Sequence, residues 1–296
     1  MRIVANHIKF AGSLLALILT ATFAPLSTIS RAEVPNLGCV ETISLELKNN
    51  PLAKILEPYT LWNENLIVEV KPYLESNSKD ISNAALTIIS NSKVPLAADV
   101  LREYADKYFD SILQNLNSSS VNAQCHAAYS MTWLAAVAKD NEKKEIVPRL
   151  IALLKSKDKN VAMVSSTALS MHKEESPLVI KQISANINET DSIYRKISYA
   201  CDLVRIGGDE REKIALPVFL SALKNTEIII REKAMSCFFY TGSKQLYTSL
   251  LSTLKQILTV EWEQNKTPII KQSALHMLKI IDTPEAKELL QKIRAE

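Results

Sequence analysis

One four-residue pattern returns six times along this chain, and its spacing limits what the chain can fold into. The pattern is a small residue, an apolar one, a small or polar one, then Met, Cys or Ile. Its copies are Ala85-Leu86-Thr87-Ile88, Ala128-Tyr129-Ser130-Met131, Ala168-Leu169-Ser170-Met171, Ser198-Tyr199-Ala200-Cys201, Ala234-Met235-Ser236-Cys237 and Ala274-Leu275-His276-Met277. The steps between them are 43, 40, 30, 36 and 40 residues. Two helices of average length with their connections consume about 30 to 40 residues, so each step fits one helix pair. Self-similarity at such a period is the mark of stacked repeats. Only five glycines occur in 296 residues, which speaks against glycine-rich phosphate loops and turn-dense β architectures.

Each copy lies within a helical apolar pattern. Ile230, Ala234, Cys237 and Phe238 recur at spacings that share one helix face. A second helix precedes several copies, and prolines mark three of these: Pro148, Pro177 and Pro217. Proline fits only the first turn of a helix without losing a hydrogen bond, so the three predict helix starts or first-turn bends. The third and sixth residues after each one are Ile151 and Leu154, Ile180 and Ile183, and Leu220 and Leu223, which predicts their core faces. Gly207-Gly208-Asp209 predicts a glycine helix end followed by an Asp cap, and Asp282-Thr283-Pro284-Glu285 predicts the start of the last helix.

The stretch from Ile146 to Leu154, with Asn160-Val161 leading to Ala168-Leu169, resembles the HEAT-repeat (armadillo-like) family of α-solenoids. Ile230-Arg231 followed by Ala234 is similar to that family's apolar-Arg-Ala signature, with Lys271 and Ala274 a looser copy. Cys125 and Ser165 stand where the family places Arg, and Ser198 replaces an alanine. The resemblance implies an all-α fold, an α-α superhelix (HEAT-like solenoid) of about six helix-pair repeats over residues 80–296. Residues 33–79 lack the pattern and are expected to form a divergent N-terminal helical cap.

The first 32 residues read differently. Arg2, His7 and Lys9 precede an apolar run from Ala11 to Ala24, and Ser30-Arg31-Ala32 supplies small residues at a cleavage site. Residues 1–32 therefore read as a secretory signal peptide. The run of 14 residues is shorter than the ~20 a spanning helix needs. Removing it takes away three basic residues and no acid, which leaves 32 of each sign. A neutral mature chain has no global field for nucleic acid or anionic lipid. The expected location is outside the cytoplasm, periplasmic or secreted, with no membrane insertion after cleavage.

Export would place Cys39, Cys125, Cys201 and Cys237 in an oxidising compartment. Leu37-Gly38-Cys39 has some likeness to a lipidation site, so Cys39 is left open as free, paired or lipidated. Cys201 and Cys237 hold equivalent positions in adjacent repeats. Packed helix axes lie ~8–10 Å apart, whereas a disulfide needs Cα atoms within about 7 Å, so these two are expected to stay unpaired.

His126, His172 and His276 pair with no second His or Cys at metal-ligand spacing, and no nucleophile elbow, phosphate loop or dinucleotide fingerprint occurs. The sequence therefore carries no catalytic, cofactor or metal residues that can be named. The resemblance implies a non-enzymatic interaction or assembly scaffold that binds another protein along the solenoid surface. Residues beside the expected core stripe of the second helices are its candidates: Arg149, Lys181, Ser221 and Tyr247, with Trp262 as an interface anchor. Two alternatives stand beside this reading, a HEAT-type lyase-like or chaperone-like enzyme and a membrane-tethered scaffold with an uncleaved leader.

Overall fold

The computed structural model describes residue 52 and residues 63–92, 94–238, 243–259 and 267–295. The leader and Cys39 lie outside the described residues, as does Trp262. The described residues form an all-α fold of the solenoid type. Its helices are α1 (Glu64–Val70), α2 (Lys79–Ser90), α3 (Pro95–Leu116), α4 (Val121–Leu134), α5 (Asp140–Leu153), α6 (Lys159–Met171), α7 (Pro177–Glu189), α8 (Ile193–Ile206), α9 (Asp209–Leu223), α10 (Ile228–Cys237), α11 (Lys244–Thr259), α12 (Pro268–Ile281) and α13 (Pro284–Ala295). A 3-10 turn, Lys71–Glu75, follows α1. The chain divides between Glu174 and Glu175 into two compact units.

In the first unit α2 packs on α4 and α4 on α6, while α1 packs on α3 and α3 on α5. The even and odd helices thus form two rows. The second unit repeats the arrangement, with α8, α10 and α12 in one row and α9, α11 and α13 in the other. All six copies of the recurring pattern fall on even helices.

The reason lies in how many sides of each helix are covered. The inner even helices, α4 and α10, have a neighbour on either side in their own row, and every even helix packs against at least one odd helix. Nine of the 13 residues of α6 are buried, against four of the 14 in α5. In the second unit nine of the 14 residues of α8 are buried, against five of the 15 in α9. A helix enclosed this way needs small side chains wherever a neighbouring backbone comes close. Ala85, Ala128, Ala168, Ala234 and Ala274 all have no exposed surface. The small polar residues beside them are accommodated by bonding back to their own helix. Thr87 donates to the Asn83 carbonyl at 2.8 Å, Ser130 to that of His126 at 3.0 Å and Thr132 to that of Ala128 at 3.1 Å.

All the even helices but α10 also share a way of starting. The N-cap side chain accepts from the third residue on: Ser78 from Ile81, Ser120 from Ala123, Asp158 from Val161, Ser192 from Arg195 and Thr267 from Ile270. Two residues earlier a second short side chain receives the N–H of the cap residue. Ser76, Ser118, Ser156, Thr190 and Asn225 do this for α2, α4, α6, α8 and α10.

Counting from these caps corrects the register read from the sequence. Arg231 is the fourth residue after its N-cap, and its guanidinium donates to the carbonyls of Asn225, at 2.5 Å, and Thr226, at 2.9 Å. The fourth residue after the cap of α4 is Gln124, not Cys125, and Gln124 donates to the Ser118 carbonyl at 2.8 Å. A shorter amide fills the role of the guanidinium, closing the same entry loop. On α2 the same position is Ser82, whose hydroxyl reaches the Leu74 carbonyl at 2.8 Å.

The prolines divide. Pro177 opens α7, but Pro148 and Pro217 lie inside α5 and α9. Those helices start earlier, at Asp140 and Asp209. Each interior proline leaves the carbonyl four residues back without its donor. Pro148 and Lys144 are exposed, as are Pro217 and Lys213, so water reaches those carbonyls. Of the expected core face, Leu154, Ile183 and Leu223 are buried as expected, but its first position falls one residue early. Leu150, Val179 and Phe219, two residues after each proline, are fully buried, whereas Ile151, Ile180 and Leu220 are half-buried. At the helix ends, Gly207 takes φ 93° as expected, but Gly208 at φ 102°, rather than Asp209, is the N-cap of α9. Thr283 caps α13, accepting from the Ala286 N–H at 3.2 Å.

Ala128→Leu inserts three carbons where no surface is free, and overpacking of this kind costs about 1–3 kcal/mol. Ala152→Leu, on the exposed side of α5, is the control. The urea midpoint is expected to fall for the first variant and to stay within error for the second.

Candidate functional site

The surface residues named from the sequence do not share one environment. Arg149 sits between Pro148 and Leu150 on α5 and is half-buried. Its Nη1 donates to the Leu113 carbonyl at 3.3 Å. That carbonyl belongs to the last turn of α3, where helix acceptors lack internal partners and the helix dipole favours a cation. Arg149 therefore holds α5 to α3 as well as presenting charge. Lys181 on α7 and Ser221 on α9 are exposed. Both are free to meet another molecule.

Tyr247 is not. It has no exposed surface, and its hydroxyl donates to the Phe238 carbonyl at 2.5 Å. Its ring stands edge-on to Phe238 at 5.8 Å between centroids, and Phe238 lies 4.9 Å from Phe219. Tyr247 belongs to the core stripe of α11 with Leu250, Leu251 and Leu254 rather than beside it. Leu250, Leu251, Leu254 and Leu258 follow Tyr247 at helical spacing, so its place in the stripe could have been found from the periodicity of α11.

Three features went unread at the sequence level. One is a cleft of about 450 Å³ in the first unit, between the 3-10 turn and α3. Val100, Leu74 and Tyr104 line it, and the ion pairs Lys71–Glu103, at 2.7 Å, and Lys107–Glu75, at 2.6 Å, join its two sides. Val68 at its edge is 60% exposed. An apolar floor under a charged rim suits an apolar side chain of a bound segment.

The second is a polar seam joining α2 to α4. Asn83 Nδ2 lies 3.0 Å from His126 Nδ1, Ser130 donates to Asn83 Oδ1 at 2.9 Å, and the Thr87 and Tyr129 hydroxyls meet at 3.0 Å. His126 Nε2 is 3.7 Å from Asp80. Burial still pushes the His126 imidazole below its ordinary range, outweighing the pull of Asp80 in the other direction. This is a half-buried histidine in a packed helix, with an amide for a partner. No group of three His, Cys, Asp or Glu side chains among the described residues is placed to hold a metal ion.

The third is a thiol pair. Cys201 and Cys237 are both free and buried, on neighbouring helices of one row. Their equivalence was legible; the approach of Arg205 Nη2 to within 3.6 Å of the Cys201 sulfur was not. Cys125, also buried, is disulfide-bonded.

No family model matches the sequence, and no curated protein matches it. Among solved structures, the chain is similar to two crystal structures of engineered proteins from the Northeast Structural Genomics Consortium. One is 19% identical with a TM-score of 0.42 and covers 77% of this chain and 96% of its own. The other is 17% identical, also with a TM-score of 0.42, and covers 79% of this chain and 100% of its own.

His172, at the C-cap of α6, gives a test of the packing by pH. Burial pushes its imidazole down to about 4. The unfolded chain binds the proton first as pH falls below ~6.5, so folding stability is full above that value and declines towards pH 4. Between pH 7 and pH 4 this one group is expected to cost about 2–3 kcal/mol. His172→Gln, which does not titrate, should flatten that part of the stability–pH curve in urea melts; an unchanged slope would remove His172 as its source.

Proposed function

We propose that the chain is a HEAT-like repeat array exported from the cytoplasm, and that it works as a non-enzymatic scaffold holding another protein along its helical surface. Residues 1–32 act in this reading as the signal peptide. The observation that carries the scaffold role is the division of labour between the rows. The even helices are consumed by packing, while each odd helix commits one face and leaves the other to solvent. A stack built this way offers an extended surface whose residues can vary without disturbing the core. Lys181 and Ser221 stand on that outer face, and the cleft beside Tyr104 adds a concave apolar feature in the first unit.

The disulfide at Cys125 supports the compartment, because such bonds persist where the medium is oxidising. No helix among the described residues is long and apolar enough to cross a membrane.

The test uses a photo-crosslinking residue at Lys181 or Ser221 in cells that make the protein, with Lys279 on the even helix α12 as an exposed control position. The same partner is expected on the first two and absent from the third. The double variant Arg149→Glu/Lys181→Glu should then reduce capture of that partner several-fold. Its folding stability should drop only by the loss of the Arg149–Leu113 bond, about 1–2 kcal/mol. Equal crosslinking from all three positions, or capture unchanged in the double variant, would contradict the proposed surface.

A further inference from the structure

Cys125 is 2% exposed and carries a disulfide, yet neither of the other described cysteines is its partner. Cys201 and Cys237 are both free. The chain has four cysteines, so within one molecule the count leaves Cys39. A bridge to a second molecule is opposed by where Cys125 lies. It is on α4, the middle helix of its row, with α2 and α6 on either side and α3 packed against it as well. A sulfur enclosed there is met by a segment that folds with the unit, whereas a cysteine arriving from outside would have to part close-packed helices.

We propose that Cys39 and Cys125 form a disulfide staple, which ties the amino-terminal segment to α4 and closes a covalent ring around the first repeat. The two residues are 86 positions apart, and α1, α2 and α3 lie between them. Closing a ring of that size takes freedom from the unfolded chain, so the bond favours the folded first unit. No part of the second unit is spanned. The same assignment decides among the fates left open for Cys39. Lipidation would join a lipid to that sulfur through a thioether, and a bridged sulfur excludes it.

The bond forms by exchange with a protein or small-molecule disulfide of an oxidising compartment. Cys39 thiolate attacks one sulfur of that oxidant. A mixed disulfide forms, the oxidant's S–S bond breaks, and its second sulfur leaves with the proton that Cys39 gave up. Cys125 thiolate then attacks the Cys39 sulfur. The Cys39–Cys125 bond forms, the mixed bond breaks, and the oxidant's first sulfur leaves with the Cys125 proton. Two thiols of the chain are oxidised and one disulfide is reduced to a dithiol. The choice of Cys39 rests on the count and on burial; only the natural source of the oxidant rests on the export reading.

The test takes full-length protein from exporting cells, unfolds it in guanidinium without reductant, alkylates it and maps it by non-reducing peptide mass spectrometry. Alkylation at Cys201 and Cys237 is expected, with a peptide pair joining Cys39 to Cys125 that is lighter by two hydrogens than its reduced parts. In a second arm the reduced protein, made without export, is folded in glutathione disulfide and mapped in the same way. The same bridge is expected; its presence here and absence from cells would support the staple and contradict the export reading. Cys39→Ala should raise the alkylated thiols from two to three. It should also speed amide exchange in α2 and α4 several-fold and leave α8 and α10 unchanged, as reduction of the parent protein should. Where the variant fails to fold, the two maps of the parent decide. Four alkylated thiols in both arms, Cys125 joined to a second chain, or a lipid on Cys39 would overturn the proposal.

Discussion

The structure depends on the closeness with which helices of one row approach each other. α4 between α2 and α6, and α10 between α8 and α12, have neighbours on two sides of their own row and further helices behind. Dispersion and burial favour this enclosure, but only if side chains at the contact are small enough to let backbones near. Alanine at 85, 128, 168, 234 and 274 meets that condition. Larger apolar residues, among them Met131, Met235 and Met277, are fully buried beside them. Methionine suits this position because its unbranched chain adapts to whatever gap the small neighbours leave.

Entry loops matter next. A stack of helix pairs must return the chain at a fixed angle each time, and the loop carbonyls must find donors. The paired short side chains before α2, α4, α6 and α8, with Arg231, Gln124 or Ser82 reaching back, supply them. Different residue types do one task, which is why the pattern of small residues was plain in the sequence while the Arg position was misread at Cys125. Chemical equivalence, a donor of suitable reach, replaced identity.

Helix existence and the two rows were legible because apolar periodicity and small residues are both direct consequences of enclosure. Helix phase was less so. Proline was read as a start signal, and at Pro148 and Pro217 that failed, since an exposed carbonyl can be satisfied by water within a longer helix. Tyr247 was placed beside the stripe although Leu250, Leu251 and Leu254 share its face at helical spacing. The site was the least legible part. Lys181 and Ser221 are exposed as anticipated, but the cleft beside Tyr104 depends on residues such as Lys71 and Glu103, 32 positions apart, which only packing brings together.

The central claim is that the even helices are the enclosed spine of each unit and the odd helices its outer layer. Amide hydrogen exchange under native conditions tests it most directly. Exchange in α6 should be slower than in α5, and exchange in α8 slower than in α9, with the slowest amides around Ala168 and Ala200. Odd helices protected as well as or better than their even partners would contradict the two-row account.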